Sequence, residues 1–368
     1  MLDRRELARL AVHMARERGV QRRSAFDAAA QPFLDEQLAW AKDAAFPLAA
    51  RLLIGPGGSG KTRLALQLCT QLRSEGWWAG FLCRPAQFSQ IHARLKAGAQ
   101  PALIVIDYAE TRIEDLFALI RPVVLSPVPQ PVRILLVARS GGDWWDRLDG
   151  RDPQCESFFA GQASSGPYSI PPLHTTTASR EAAFQRAMQL FSAKLNLPVP
   201  SHSPDLTAEH YAHPLLVQMA ALLALHDEQP STAEGLTRSL VNHEKRYWGH
   251  LLQGDTEGAE QAAQLMALST LCDGLQTSQQ IESIWTEANC GSSSELKAAF
   301  NQLKILYPNK TGLQSLRPDL LGEALVTQVL LSSSGRDVLS AVFVSADERR
   351  RHHTWTVLAR ILRHRADL

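Results

Sequence analysis

Short apolar runs, each closed by a polar or glycine-rich step, recur along the first half of the chain and alternate with stripes at helical spacing. Leu52, Leu53 and Ile54 run into a glycine-rich turn. Residues 79–83 make a second run after the glycine stop at Gly76, and the tandem Trp77 and Trp78 beside it read as packing residues. Ala102, Leu103, Ile104, Val105 and Ile106 end on Asp107. Residues 132–138 end on Arg139. Continuous apolar runs of strand length mark strands buried on both faces, the form of a parallel sheet. Between them Leu64, Ala65, Leu68 and Leu72 fall on one helical face, and residues 116–124 form a crossover helix closed by Pro127, Pro129 and Pro131. The alternation predicts an α/β domain. Residues 141–166, with Trp144 and Trp145 among small and polar positions, read as an irregular loop, and Tyr168 to Ile170 as a short last strand.

The flanks have a different period. Leu7, Leu10, Ala11 and Met14 share a helical stripe within residues 2–18, with Arg4, Arg5, Arg9, Arg16 and Arg18 around it. A second helix is expected over residues 33–44, carrying Leu34, Leu38 and Trp40. From Ser179 onward the chain is helical. Helices are predicted over residues 179–195, 214–226 with proline in its first turn, 236–252, 259–271, 279–289, 294–306 and 319–331, and a final pair over 336–368. The expected divisions are an N-terminal helical segment (1–30), an α/β domain (31–175), a helical domain (176–255), a small helical domain ending in a winged helix (256–333) and a helical pair (334–368).

The bulk composition is that of an ordinary globular chain. Its 368 residues allow several domains, and a formal net charge of +1 supplies no global field for nucleic acid or an anionic membrane. Nucleic acid is therefore not indicated as a partner. The five cysteines have no C-x-x-C spacing, so neither a disulfide framework nor a zinc site is expected. No signal-peptide core or membrane-length apolar run is visible, and the expected location is the cytoplasm.

The chemistry concentrates at the first turn. Gly55-Pro56-Gly57-Gly58-Ser59-Gly60-Lys61-Thr62 fits G-x-x-x-x-G-K-[ST] between a strand and a helix. Glycines let backbone N–H groups converge on phosphate oxygens at the positive end of the following helix. Lys61 adds a cation for the β- and γ-phosphates, and Thr62 a hydroxyl for Mg²⁺. Gly55, Pro56, Gly57, Gly58, Ser59, Gly60, Lys61, Thr62 and Arg63 are thus the expected nucleotide-contacting positions. Asp107, at the C-terminal edge of a central strand, is the second expected Mg²⁺ anchor. Glu110 lies where a carboxylate could orient and deprotonate an attacking water, and Arg139 where a strand-end guanidinium could meet the γ-phosphate. Lys61, Glu110 and Arg139 form the expected catalytic set. No N/T-K-x-D guanine-reading signature is present, which favours ATP over GTP.

The order GPGGSGKT, LIVIDYAE, ILLVARS, HPLLVQMAAL and LRPDLLGEAL resembles the STAND class of P-loop NTPases, and within it bacterial proteins whose core is followed by tetratricopeptide-type repeats. The resemblance spans about residues 30–365. It implies an ASCE-type parallel sheet followed by a helical lid, a winged-helix-like domain and the start of an α-helical repeat, here cut short. It further implies that Pro214 packs near the nucleotide base, with His213 standing where relatives often have a small residue. Arg317 and Asp319 fall, with Pro318 intervening, where the class sets a polar group against the phosphates. The implied function is a regulated switch of prokaryotic signalling or antiviral defence. It would rest with ADP, exchange it for ATP on meeting a trigger, form a homo-oligomer and engage a protein effector, with slow ATP hydrolysis. Two alternatives are an AAA+-like remodelling ATPase and a nucleotide-stabilised scaffold without catalysis.

Overall fold

The computed structural model describes residues 30–364 apart from 44, 84–85, 164–165, 201–202, 253–255, 289, 291–292, 310–311 and 346. The amphipathic stripe expected over residues 2–18 lies outside the described residues. The described chain divides into two compact units, one of residues up to Thr176 together with Ala212–Leu215, the other of Thr177–Tyr211 and the chain from Leu216 onward.

The first unit opens with helix α1 (Gln31–Lys42) and continues through β1 (Leu48–Ile54), α2 (Lys61–Ser74), β2 (Trp78–Phe81), α3 (Phe88–Ala97), β3 (Ala102–Asp107), α4 (Ile113–Leu125) and β4 (Val132–Ala138). Two helices, α5 (Asp143–Asp146) and α6 (Glu156–Ala163), precede β5 (Tyr168–Ser169). All pairings are parallel, in the order β2-β3-β4-β1-β5. The apolar runs have the cause expected of them: successive strand residues enter opposite cores. Leu53, Leu103, Val105, Leu135 and Val137 pack with Leu34 and Leu38 of α1 and Leu64, Leu68 and Leu72 of α2. Leu52, Ile104, Ile106, Ile134 and Leu136 pack with Leu116 and Ile120 of α4 and Phe159 of α6. Each such side chain, when fully buried, stabilises the unit by about 1.5–3 kcal/mol.

Residues 141–166 depart from the loop expected of them. Trp145, Leu148, Cys155 and Phe159 are buried in the second core, and α6 supplies the last of these. Gly142, Gly150 and Gly161 are exposed, whereas Asp152 is buried and accepts from Arg121 Nε at 2.7 Å. Strand β1 also begins earlier than its apolar run, at Leu48, and includes Arg51. That guanidinium lies 3.8 Å from the ring centre of Tyr168 and 4.8 Å from that of Trp40, and donates to Gln37 Oε1 and Tyr168 Oη. Arg133, 1% exposed at the second position of β4, donates to the backbone oxygens of Asp43 and Phe46, tying the turn after α1 to the sheet.

The second unit is helical: α7 (Thr177–Leu195), most of α8 (Pro214–Ala224), α9 (Ala233–Leu251), α10 (Thr256–Leu271), α11 (Ser278–Glu287), α12 (Ser294–Leu306), α13 (Asp319–Leu330), α14 (Gly335–Ser345) and α15 (Glu348–His364). Leu313 bridges antiparallel to both Leu275 and Pro308. Trp248 of α9 donates to the Tyr307 hydroxyl at 3.0 Å, and that hydroxyl donates to Glu244, all three within the core. All five cysteines are free thiols. No helix among the described residues is long and apolar enough to cross a membrane.

Candidate functional site

The path of the turn between β1 and α2 is set by its glycines. Gly58 (φ 79°) and Gly60 (φ 96°) occupy the left-handed region that side chains avoid. Ser59 N–H donates to Pro56 O at 3.3 Å, and Leu64 N–H to Gly60 O at 2.8 Å, which starts α2. The preceding N–H groups, at the head of that helix, have no intrahelical acceptor and carry the positive end of its dipole. Lys61 Nζ donates to Gly55 O at 2.5 Å and Pro56 O at 2.8 Å, so the ammonium lies against the loop itself. Arg63 donates to Gln67 Oε1, one turn further along α2, and burial lowers its pKa.

Register brings the strand-end groups beside this loop. Ile54 pairs with Ala138 and Asp107 with Val137, so Gly55, Arg139 and Asp107 leave one edge of the sheet on adjacent strands. Thr62 Oγ1 donates to Asp107 Oδ2 at 3.1 Å. The structure therefore brings together the two side chains expected to anchor Mg²⁺. Asp107 Oδ1 accepts from the backbone N–H of Tyr108, which is itself left-handed (φ 56°). Glu110 follows on a 3₁₀ turn, Ala109–Thr111, at the same edge.

These features decide the architecture: the glycine loop runs from β1 into α2, and one strand, β4, separates β1 from the acidic strand β3. The fold is that of an α/β P-loop NTPase. No family model matches the chain, and no curated protein matches it. Among solved structures it is similar to Cdc6p from Pyrobaculum aerophilum, at 10% identity over 93% of this chain and 96% of that one, with a TM-score of 0.33. It is also similar to the Thermotoga maritima RuvB Holliday junction branch migration motor, at 17% identity over 87% and 90%, with a TM-score of 0.31. A third is the replication initiator DnaA bound to AMPPCP and single-stranded DNA, at 12% identity over 93% and 91%, with a TM-score of 0.29. At such scores these likenesses carry no weight for function.

The residues suit a nucleotide with Mg²⁺. A hydroxyl and a carboxylate side by side are hard oxygen donors, and Mg²⁺ is commonly held by one or two protein groups plus substrate phosphates. Among the described residues no cluster of three or more His, Cys, Asp or Glu offers a separate metal cage. The loop backbone is packed so closely that a Cβ at Gly55 would meet Ser59 Oγ at 2.9 Å.

One neighbour was not legible from the sequence. A Cβ at Gly58 would fall 2.8 Å from Leu215 Cβ and 2.9 Å from its Cδ2, so Leu215 lies directly against the loop. Pro214 and Leu215 begin α8, and His174 N–H donates to Ala212 O just before them. Leu215, the residue after the expected Pro214, makes a contact with the glycine loop that motif spacing did not signal. Arg317 and Asp319 lie in the other unit and form an ion pair with each other, and Arg360 meets the same carboxylate at 3.6 Å.

Proposed function

We propose that this chain binds ATP with Mg²⁺ and hydrolyses it slowly. The observation that carries the reading is the Thr62–Asp107 hydrogen bond beside a loop whose Gly58 and Gly60 take left-handed backbone. The loop N–H groups and Lys61 would hold the β- and γ-phosphates, while Thr62 and Asp107 would hold the metal, which neutralises phosphate charge when bound. Glu110 orients water and accepts its proton, Arg139 offers positive charge to the γ-phosphate, and Pro214 lines the base side. The direct test is phosphate release with Mg²⁺ and ATP. Glu110→Gln should slow it by about 10²-fold or more while ATP is still bound. Equal rates would remove Glu110 from the chemistry.

The wider role we assign is a STAND-type switch in prokaryotic signalling or antiviral defence, resting with ADP and assembling with ATP. Its support is the motif order in the sequence. In the second unit, the succession of α10, α11 and α12 with Leu313 bridging Leu275 and Pro308 supports a winged-helix-like part. The pair α14 and α15 suits the start of a helical repeat, and α7 to α9 a lid. A switch needs each nucleotide to prefer one conformation, by about 5.5 kcal/mol for a nearly complete flip. Mass measurement in solution tests it: Glu110→Gln with ATP should form a larger assembly than wild type with ADP. Identical masses would sink the switch and leave a nucleotide-stabilised scaffold.

A further inference from the structure

Arg112 is 8% exposed, yet it sits at the start of α4, a place where a solvated residue would suffice. Its backbone oxygen accepts from Leu116 N–H at 3.0 Å, so it holds the N-cap position of that helix. Capping cannot explain the choice of arginine, because a guanidinium has no acceptor to offer the free N–H groups. The side chain reaches elsewhere. Nε donates to Asp115 Oδ2 at 2.8 Å, and Nη1 donates to Leu82 O at 2.7 Å. Leu82 N–H in turn donates to Val105 O at 2.8 Å, so the gripped carbonyl belongs to a residue fixed to β3.

Between Asp107 and this clamp lies only the turn that carries Glu110. Thr111 donates to Tyr108 O through both its N–H and its hydroxyl, each at 2.9 Å, and Arg112 N–H donates to Ala109 O at 3.0 Å. One end of the turn is pinned by Asp107 and the left-handed Tyr108. The other end is pinned by Arg112.

We infer that Arg112 is a positioning residue that sets where the Glu110 carboxylate stands, by fastening its turn to the end of β2. The inference rests on the proposed role of Glu110. The guanidinium reaches Asp115 and Leu82 O from two different nitrogens held in one plane, a spacing that the single nitrogen of an ammonium reproduces only in part.

The test measures phosphate release and the affinity for a fluorescent ATP analogue with Mg²⁺, on the full chain. Arg112→Ala should lower kcat by about 10²-fold, the cost of a catalytic group displaced by about 1 Å, with analogue affinity little changed. Arg112→Lys should recover part of that loss. The double variant with Glu110→Gln should be no slower than Glu110→Gln alone, as expected for residues that act as one. Wild-type turnover in Arg112→Ala, parallel loss of turnover and affinity, or multiplying losses in the double variant would overturn the inference. If Glu110→Gln turns over normally while Arg112→Ala does not, the role of Glu110 fails first and the inference with it. Should Arg112→Ala not fold, Asp115→Ala removes the acceptor of Nε while leaving the grip on Leu82 O, and it should show a smaller fall in kcat at unchanged affinity. Unchanged turnover there would count against the clamp.

Discussion

The hydroxyl of Thr62, at the head of α2, donates to the carboxylate of Asp107, the last residue of β3, at 3.1 Å. The two lie on different elements, and only the parallel sheet brings them together. Removing Asp107 should therefore weaken Mg²⁺-dependent binding of ATP more than ADP binding measured with chelator. A difference of about tenfold, equivalent to about 1.4 kcal/mol, is expected for Asp107→Ala. Titration of a fluorescent analogue with and without Mg²⁺ reads it, and equal losses would contradict the metal assignment.

Lys61 lies against the loop through Gly55 O and Pro56 O. Binding phosphate exchanges carbonyl partners for charged ones, and a hydrogen bond to a charged group contributes about 1.5–3 kcal/mol. Lys61→Ala should thus lower nucleotide affinity by roughly 10- to 150-fold, the same energy expressed as a ratio. Retained affinity in the same titration would remove the lysine from the phosphate site.

Gly58 combines a left-handed backbone with a leucine in contact, so Gly58→Ala faces strain and collision together. The conformational part alone costs about 1–2 kcal/mol. The variant should melt at lower temperature and bind nucleotide less well. Trimming the leucine in Gly58→Ala/Leu215→Ala should restore part of the affinity but not the strain. Thermal unfolding and titration separate the two, and absence of any restoration would argue against the contact.

Glu244 is buried against Tyr307, and burial pushes its carboxyl up to about 8, against an ordinary value near 4.5. Below the lower value both folded and unfolded chains hold the proton. As pH rises from there the unfolded chain releases it first, so this group's contribution to stability declines by up to about 1.4 kcal/mol per pH unit until the folded value is passed. Glu244→Gln keeps an oxygen for the Tyr307 hydroxyl and has no proton to lose. Denaturation at several pH values should show a flatter profile for the variant between 4.5 and 8. Parallel profiles would show that Glu244 is ionised throughout that range.

Where burial acts on both faces, the sequence is transparent. β3 runs from Ala102 to Asp107 as its apolar run indicates, and β4 ends just before Arg139, because a doubly covered strand is apolar except where, as at Arg133, a polar side chain finds buried acceptors. The start of β1 was hidden: Arg51 enters the strand only because Trp40 and Tyr168 stack on it and Gln37 accepts from it. The helices among residues 141–166 were hidden by a mixture of glycine and charge that anchors through a few buried side chains. At the site, Lys61, Thr62 and Asp107 were readable from motif and strand end. Leu215 and Arg112 were not, since their roles depend on partners that spacing along the chain does not reveal.

The four residues Ala212–Leu215 are grouped with the sheet although the intervening Thr177–Tyr211 are not. A fragment cut after Thr176 would retain every motif residue from Gly55 to Arg139 and still leave Gly58 bare on the side where Leu215 belongs. The unit that carries the glycine loop is discontinuous in sequence, and expressing it alone calls for a splice rather than a stop codon.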